Sequence, residues 1–126
     1  MEKQRSFSFR KQIASFKPAF KGFAFLLKNE HNFWIHLAAT LIVLILGILF
    51  RIRPIEWIAV VLCFGLVIST EIMNTAVEKL VDFVSPQNNE KAGQIKDIAA
   101  AAVLVSACVA FVAGLIIFLP YLFRLT

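Results

Sequence analysis

The fold of this chain is decided by residues 31–50, HNFWIHLAATLIVLILGILF, which contain no charged side chain. A helix of this length crosses the hydrocarbon core of a bilayer, because about 20 predominantly apolar residues are enough. A second uncharged run, residues 98–123, is rich in Ala, Val, Leu and Ile and is long enough to span with some tilt. Both runs therefore predict transmembrane helices.

A third span is predicted between these two. The apolar run from Trp57 to Thr70 is short, but the helix reaches spanning length if it continues past Glu71 and Glu78 to about Val84. The composition agrees, since 60% of the chain is hydrophobic and its mean hydropathy is +0.79, well above a typical soluble domain. The predicted fold class is an all-α membrane protein, with spans at about residues 33–50, 57–84 and 98–123.

The first 30 residues predict an amphipathic helix on the membrane surface. Apolar residues recur at spacings of three and four beside several lysines, which places them on one helical face: Phe9, Ile13, Phe16, Phe20, Phe23 and Leu27. Pro18 is expected to divide this helix, with Ser15 as the cap of the second piece. We therefore predict a basic surface segment at residues 1–30 and a single three-span domain at residues 31–126.

Basic residues are distributed unevenly about the predicted spans. Ten of the 13 lysines and arginines stand before the first span or between Lys79 and Lys96, whereas Arg51, Arg53 and Arg124 lie on the other side. The positive-inside rule then predicts a cytoplasmic N-terminus and an external C-terminus. The net charge of +5 is accounted for by this topology and by attraction to anionic lipid, so no nucleic-acid partner is expected.

Polar side chains share one face of the predicted second span. At about 100° per residue, five of them project within one sector about 100° wide: Glu71, Asn74, Thr75, Glu78 and Asp82. An ionisable residue near the centre of a membrane helix costs at least ~2.5 kcal/mol, so it marks a functional site by default. The structural alternative is that these carboxylates pair with lysines, namely Lys79, Lys91 and Lys96.

Packing as a bundle is expected to bring this polar face close to Glu30, at the end of the surface helix, and to Lys96 and Asp97. Oxygen ligands without His or Cys clusters favour Mg²⁺, which is commonly held by one or two carboxylates together with substrate phosphates. A lysine neutralises phosphate charge, and one further carboxylate accepts the proton of a hydroxyl. These groups suggest phosphoryl transfer, although the chain has no GxxxxGK[ST] loop and no HRD or DFG motif.

Two linked motifs resemble the prokaryotic diacylglycerol kinase family, which includes undecaprenol kinases. The first is E-x-x-N-T-A-V-E-x-x-V-D at residues 71–82, and the second is K-D-x-A-x-A-A-V at residues 96–103. The similarity covers nearly the entire chain, from F-x-x-A-x-x-G at residues 16–22 through Asn29 and Glu30 to the last span. The motif positions show no departure that indicates an inactive member.

The resemblance implies a homotrimer in the bacterial inner membrane, with cytoplasmic active sites shared between neighbouring chains. It also implies transfer of the γ-phosphate of MgATP to a membrane lipid alcohol, with Mg²⁺ as cofactor. The roles carried over by position are general base and its neighbour for Glu71 and Asn74, metal and nucleotide binding for Glu30 and Glu78, and nucleotide contact for Lys96 and Asp97.

His36 departs from the well-known proteobacterial diacylglycerol kinases, which carry a second acidic residue at this position. The pattern E-x-N-F-x-x-H at residues 30–36 looks like the undecaprenol kinase branch. Undecaprenol is therefore the expected acceptor and His36 the candidate selectivity residue, with a diacylglycerol kinase that makes phosphatidic acid as the alternative. A buried hydrogen-bonding histidine is the structural alternative for His36. Two further classes stay open: a non-enzymatic membrane assembly protein and a proton or cation transport subunit.

Overall fold

The computed structural model describes residues 8–124 and forms five helices: α1 (Phe9–Ala14), α2 (Phe16–Asn29), α3 (His31–Phe50), α4 (Pro54–Val84) and α5 (Glu90–Arg124). No strand occurs within this part of the chain. The last three helices are each long and apolar enough to cross a membrane. The prediction of an all-α membrane protein, with an N-terminal helical segment and three spanning helices, is confirmed.

The N-terminal segment divides at Ser15, and Pro18 lies in the first turn of the second piece, as expected from the sequence, but Ser15 does not form the expected cap. The Ser15 hydroxyl donates to the carbonyl of Gln12 at 2.6 Å, so it closes α1 and does not cap the first turn of α2. Pro18 is the third residue of α2, where its missing amide hydrogen costs no helical hydrogen bond. The apolar residues at 9, 13, 16 and 20 are exposed, as a membrane-surface helix requires. The predicted segment's residues 1–7 lie outside the described residues.

A tight turn joins α3 to α4. Arg51 adopts a left-handed conformation with φ 52° and ψ 55°. The amide of Ile52 donates to the carbonyl of Gly47 at 3.1 Å, and that of Arg51 to the carbonyl of Ile48 at 3.3 Å. These two bonds form a Schellman motif, which satisfies the last carbonyls of a helix. Gly47 also lets the ring of Trp57 pack against α3, because a Cβ there would lie 2.6 Å from Trp57 Cη2.

Helix α5 begins about two turns before the predicted third span. The side-chain oxygen of Asn89 accepts a hydrogen bond from the amide of Ala92 at 2.8 Å, which is an N-cap. The predicted polar connection, residues 85–97, is therefore reduced to residues 85–89. As a consequence, Lys96 and Asp97 project from a helix that continues into the membrane span.

Two clusters of buried side chains hold the bundle together. Ile52, Val60, Ile117 and Phe118 pack next to the α3–α4 turn. Leu26, Phe33 and Ile68 pack at the other end and attach α2 to α3 and α4. Most other large apolar side chains of α3, α4 and α5 are exposed, as expected for helices that face lipid instead of water.

Candidate active site

Glu71 is a buried carboxylate near the middle of α4. The residue is only 4% exposed, and its Oε2 lies 3.4 Å from Nε2 of His36 on α3. Thr75 turns its hydroxyl back to the Glu71 carbonyl at 3.1 Å and does not compete for the carboxylate. A carboxylate removed from water needs a polar partner. Among residues 8–124, His36 is the side chain that supplies it.

Asn74 and Glu78 form the next layer of the polar face of α4. The amide Nδ2 of Asn74 donates to Oε1 of Glu78 at 3.3 Å. The Asn74 amide oxygen is buried, and no described residue donates to it. A buried acceptor without a donor costs about 1–3 kcal/mol. The Asn74 oxygen is therefore an unsatisfied acceptor within the described part of the chain, on the side of the amide that does not contact Glu78.

Glu30 lies between α2 and α3 and is paired with α4. Its Oε1 is 3.3 Å from the ammonium of Lys79, which also lies 5.4 Å from the centre of the Phe25 ring. Because Lys79 follows Glu78 directly, this pair brings Glu30 to the same part of α4 as Glu78. From the sequence, Lys79 is expected to pair with carboxylates of α4, so its pairing with Glu30 differs from that expectation. The sequence feature that indicates such a pair is Lys79 itself, a basic residue within the acidic motif of residues 71–82.

Lys96 is paired with Asp82, the last acidic residue of the α4 face, through a short contact to Oδ1. The alternative in which the α4 carboxylates merely pair with lysines therefore holds for Asp82. Asp97 is exposed beside Lys96. Within the described residues, no contact joins Lys96 or Asp97 directly to Glu78, although Glu78 and Asp82 are one helical turn apart.

The described residues contain no group of three or more His, Cys, Asp or Glu side chains placed to hold a metal ion. Mg²⁺ rarely needs such a group, because it is usually bound by one or two carboxylates together with phosphate oxygens and waters. The carboxylate of Glu78 and the unpaired oxygen of Asn74 are hard oxygen donors. Donors of this type suit Mg²⁺ when phosphate oxygens supply the rest of its coordination.

An apolar cavity of about 210 Å³ lies between α3, α4 and α5. His36 and Thr40 line it on α3. Small residues line it on α5, which leaves space between the helices: Ala107, Ala110, Ala113 and Gly114. Because His36 both lines the cavity and contacts Glu71, the cavity adjoins the buried carboxylate. This arrangement suits a ligand with one polar end and a long apolar body.

Comparison with known proteins finds a family model and relatives that are all named as lipid kinases. The family model described as prokaryotic diacylglycerol kinase matches residues 17–118. An undecaprenol kinase from Bacillus subtilis is 41% identical over 108 residues, which are 86% of this chain and 88% of the relative. Diacylglycerol kinases from Synechocystis sp. and Haemophilus influenzae are each 32% identical, covering 90% and 77% of this chain and 65% and 82% of their own lengths.

Proposed function

The chain belongs to the prokaryotic diacylglycerol kinase family and is a lipid kinase, and we propose that it transfers the γ-phosphate of MgATP to the hydroxyl of undecaprenol. The observation that carries this proposal is the buried Glu71 carboxylate, which contacts His36 beside an apolar cavity. An alcohol on a long hydrocarbon chain has the two parts that such a site accommodates. The non-enzymatic and transport alternatives raised from the sequence are set aside by the family.

Glu71 is the proposed general base. Its carboxylate takes the proton of the acceptor hydroxyl while that oxygen attacks the γ-phosphorus, and the bond from this phosphorus to the β,γ-bridging oxygen breaks to release ADP. The Glu71–His36 contact at Oε2 fixes the carboxylate and leaves Oε1 for the hydroxyl. The low exposure of Glu71 supports this role, because water is excluded as a competing acceptor.

The apolar cavity is the proposed location of the lipid chain nearest the hydroxyl. Its α5 wall of small side chains leaves room for a branched polyprenyl chain. A chain in this position approaches Glu71 from within the membrane. Binding in the cavity therefore orients the hydroxyl without any polar contact to the rest of the lipid.

The nucleotide is proposed to bind farther along α4, beyond Glu71. Glu78 and Glu30 are the residues that would hold Mg²⁺, Glu30 through the carboxylate that is paired with Lys79 in this structure, and the ion would offset phosphate charge. Asn74 adjoins this region through the hydrogen bond that its amide nitrogen donates to Glu78. Lys96 and Asp97 contact the nucleotide, and the partial exposure of the Lys96 side chain, 37%, allows its ammonium to reach a phosphate.

We propose that this site faces the cytoplasm, where ATP is present, in a bacterial inner membrane. The excess of basic residues at the site end supports this orientation. We also propose a homotrimer with active sites shared between subunits. The many exposed apolar side chains of α3, α4 and α5 can be covered either by lipid or by neighbouring subunits.

Undecaprenol is favoured over diacylglycerol by the relative named undecaprenol kinase and by His36 at the selectivity position. Diacylglycerol brings ester carbonyls that need hydrogen-bond donors, and the cavity wall beside His36 is mostly apolar. Burying an unsatisfied polar group costs about 1–3 kcal/mol, which corresponds to about 5- to 150-fold in kcat/KM. Diacylglycerol kinase is the second candidate, supported by the names of the other relatives.

The test is phosphorylation by the purified protein in mixed micelles, with MgATP and either undecaprenol or diacylglycerol as acceptor. We expect a higher kcat/KM for undecaprenol. An equal or higher kcat/KM for diacylglycerol would assign diacylglycerol as the substrate and leave the phosphoryl-transfer chemistry unchanged. Absence of phosphorylated product with both lipids would contradict the proposed reaction itself.

A further inference from the structure

A second cavity, of about 660 Å³, lies at the α3–α4 turn, remote from Glu78 and Lys96. Its wall carries three arginines and one carboxylate: Arg51, Arg53, Arg124 and Glu56. The rest of the wall is largely apolar: Ile55, Ala59, Ile116, Ile117 and Pro120. Three positive charges against one negative charge leave an excess of two positive charges around a partly apolar space.

The Glu56 carboxylate is already engaged within this cluster. Its Oε1 accepts hydrogen bonds from the Arg53 amide at 3.0 Å and from Arg53 Nε at 3.2 Å. The hydroxyl of Tyr121 donates to the same oxygen. Arg51 and Arg124 form no ion pair with any residue from 8 to 124. The excess positive charge therefore belongs to these two side chains.

Tyr121 gives this cluster a fixed framework. Its ring stacks on Phe50 with centroids 6.0 Å apart, and the Arg124 guanidinium lies 5.7 Å from the ring centre. A cation over an aromatic face is held there electrostatically. Since Phe50 precedes Arg51 directly, the same contact also ties the α3–α4 turn to the end of α5.

Arg51 occupies a backbone position that glycine usually takes. Among the described residues other than glycine it alone has a positive φ, 52°, and it is the left-handed residue of the Schellman motif. That conformation is unfavourable for a residue with a Cβ. An arginine kept where glycine fits more easily is consistent with a function for its side chain.

We propose that this cavity binds the phosphate-bearing headgroup of an anionic phospholipid. Arg51 and Arg124 donate to the phosphate oxygens, because guanidinium groups match phosphate geometry in a bidentate manner. The acyl chains lie on the adjacent apolar wall, where Ile55 is 64% and Ile116 is 70% exposed. In the proposed orientation this pocket lies at the external face of the membrane, so the attraction comes from the guanidinium groups themselves and not from the surface potential of the cytoplasmic leaflet. The site does not depend on the proposed kinase reaction.

The test measures lipid binding by the full-length protein, stripped of lipid in a non-ionic detergent. Dioleoylphosphatidylglycerol and dioleoylphosphatidylcholine are titrated separately, with retained lipid counted by native mass spectrometry and Tm measured in parallel. We expect tighter binding of phosphatidylglycerol and a larger rise in Tm. Because a basic residue near an anionic lipid contributes about fivefold, the double variant R51Q/R124Q should bind phosphatidylglycerol about 30-fold more weakly.

Two further variants separate this site from general charge effects and from misfolding. R10Q/K91Q removes two positive charges from exposed positions outside this cavity, in the N-terminal segment and at the start of α5, and should lose much less affinity than R51Q/R124Q. R51G relieves the backbone strain, so it should be at least as stable as wild type without lipid, yet bind phosphatidylglycerol about fivefold more weakly.

Four results would each overturn the proposal. These are equal binding of phosphatidylcholine, unchanged affinity in R51Q/R124Q or R51G, an equal loss in R10Q/K91Q, and a Tm rise of equal size with inorganic phosphate alone. The last result would show that a free anion, and not a lipid, is the ligand. Kinase activity enters none of these readouts, so its loss or presence leaves the outcome of this test unaffected.

Discussion

Removal of the His36 side chain should slow phosphoryl transfer, because the Glu71 carboxylate would lose the polar partner described for it. Glu71 is 4% exposed, and the contact between His36 Nε2 and Glu71 Oε2 is 3.4 Å long. Leaving a buried polar group unsatisfied costs about 1–3 kcal/mol. If that cost falls on the orientation of the base, kcat of His36→Leu decreases by about 5- to 150-fold. The assay is initial-rate transfer from radiolabelled ATP to undecaprenol in micelles.

Two control variants distinguish loss of the His36–Glu71 contact from a general effect of replacing a histidine. His36→Gln keeps a side-chain N–H donor and should recover most of the kcat. His31→Leu makes the same chemical change at an exposed position at the start of the same helix and should retain wild-type kcat. If His36→Leu turned over at the wild-type rate, or if His31→Leu lost as much, the contact with Glu71 would have no part in catalysis.

Two other predictions concern the metal and the fold. Glu30→Gln and Glu78→Gln should each raise the Mg²⁺ concentration needed for half-maximal activity, because each removes one oxygen charge from the proposed shell; the exposed Glu90→Gln is the control, and unchanged Mg²⁺ dependence would reject both ligands. Gly47→Ala should lower Tm, since its Cβ would lie 2.6 and 2.9 Å from the Trp57 ring and overpacking costs about 1–3 kcal/mol. Gly65→Ala, with no atom within 4 Å of its Cβ, should not lower Tm; equal Tm values for the two variants would contradict the close packing.

The spanning helices are predictable from sequence because hydropathy reports directly on the environment of each residue. Hydropathy does not report where a helix begins in water. The start of α5 at Glu90 depends on the cap formed by Asn89, in a stretch that reads simply as polar. Likewise, Ser15 resembles an N-cap of α2 in the sequence, but its hydroxyl bonds back to the Gln12 carbonyl of α1 instead.

The candidate site is predictable only where it lies on one helix. Helical periodicity alone places Glu71, Asn74 and Glu78 on a common face. The contacts of Glu71 with His36 and of Lys79 with Glu30 depend on how α2 and α3 are aligned against α4. That alignment is set by the α3–α4 turn and by the packing of Phe33 and Ile68. Neither the turn nor this packing follows from a periodic pattern in the sequence.

The turnover of Glu71→Gln, compared with wild type, tests the proposed chemistry most directly. The amide keeps the shape of the carboxylate but does not accept the hydroxyl proton, so formation of phosphorylated undecaprenol should fall about 10²- to 10⁴-fold. MgATP affinity and oligomeric state, measured on the same preparation, should match wild type. Wild-type turnover in Glu71→Gln would show that this buried carboxylate is structural and that the base lies elsewhere.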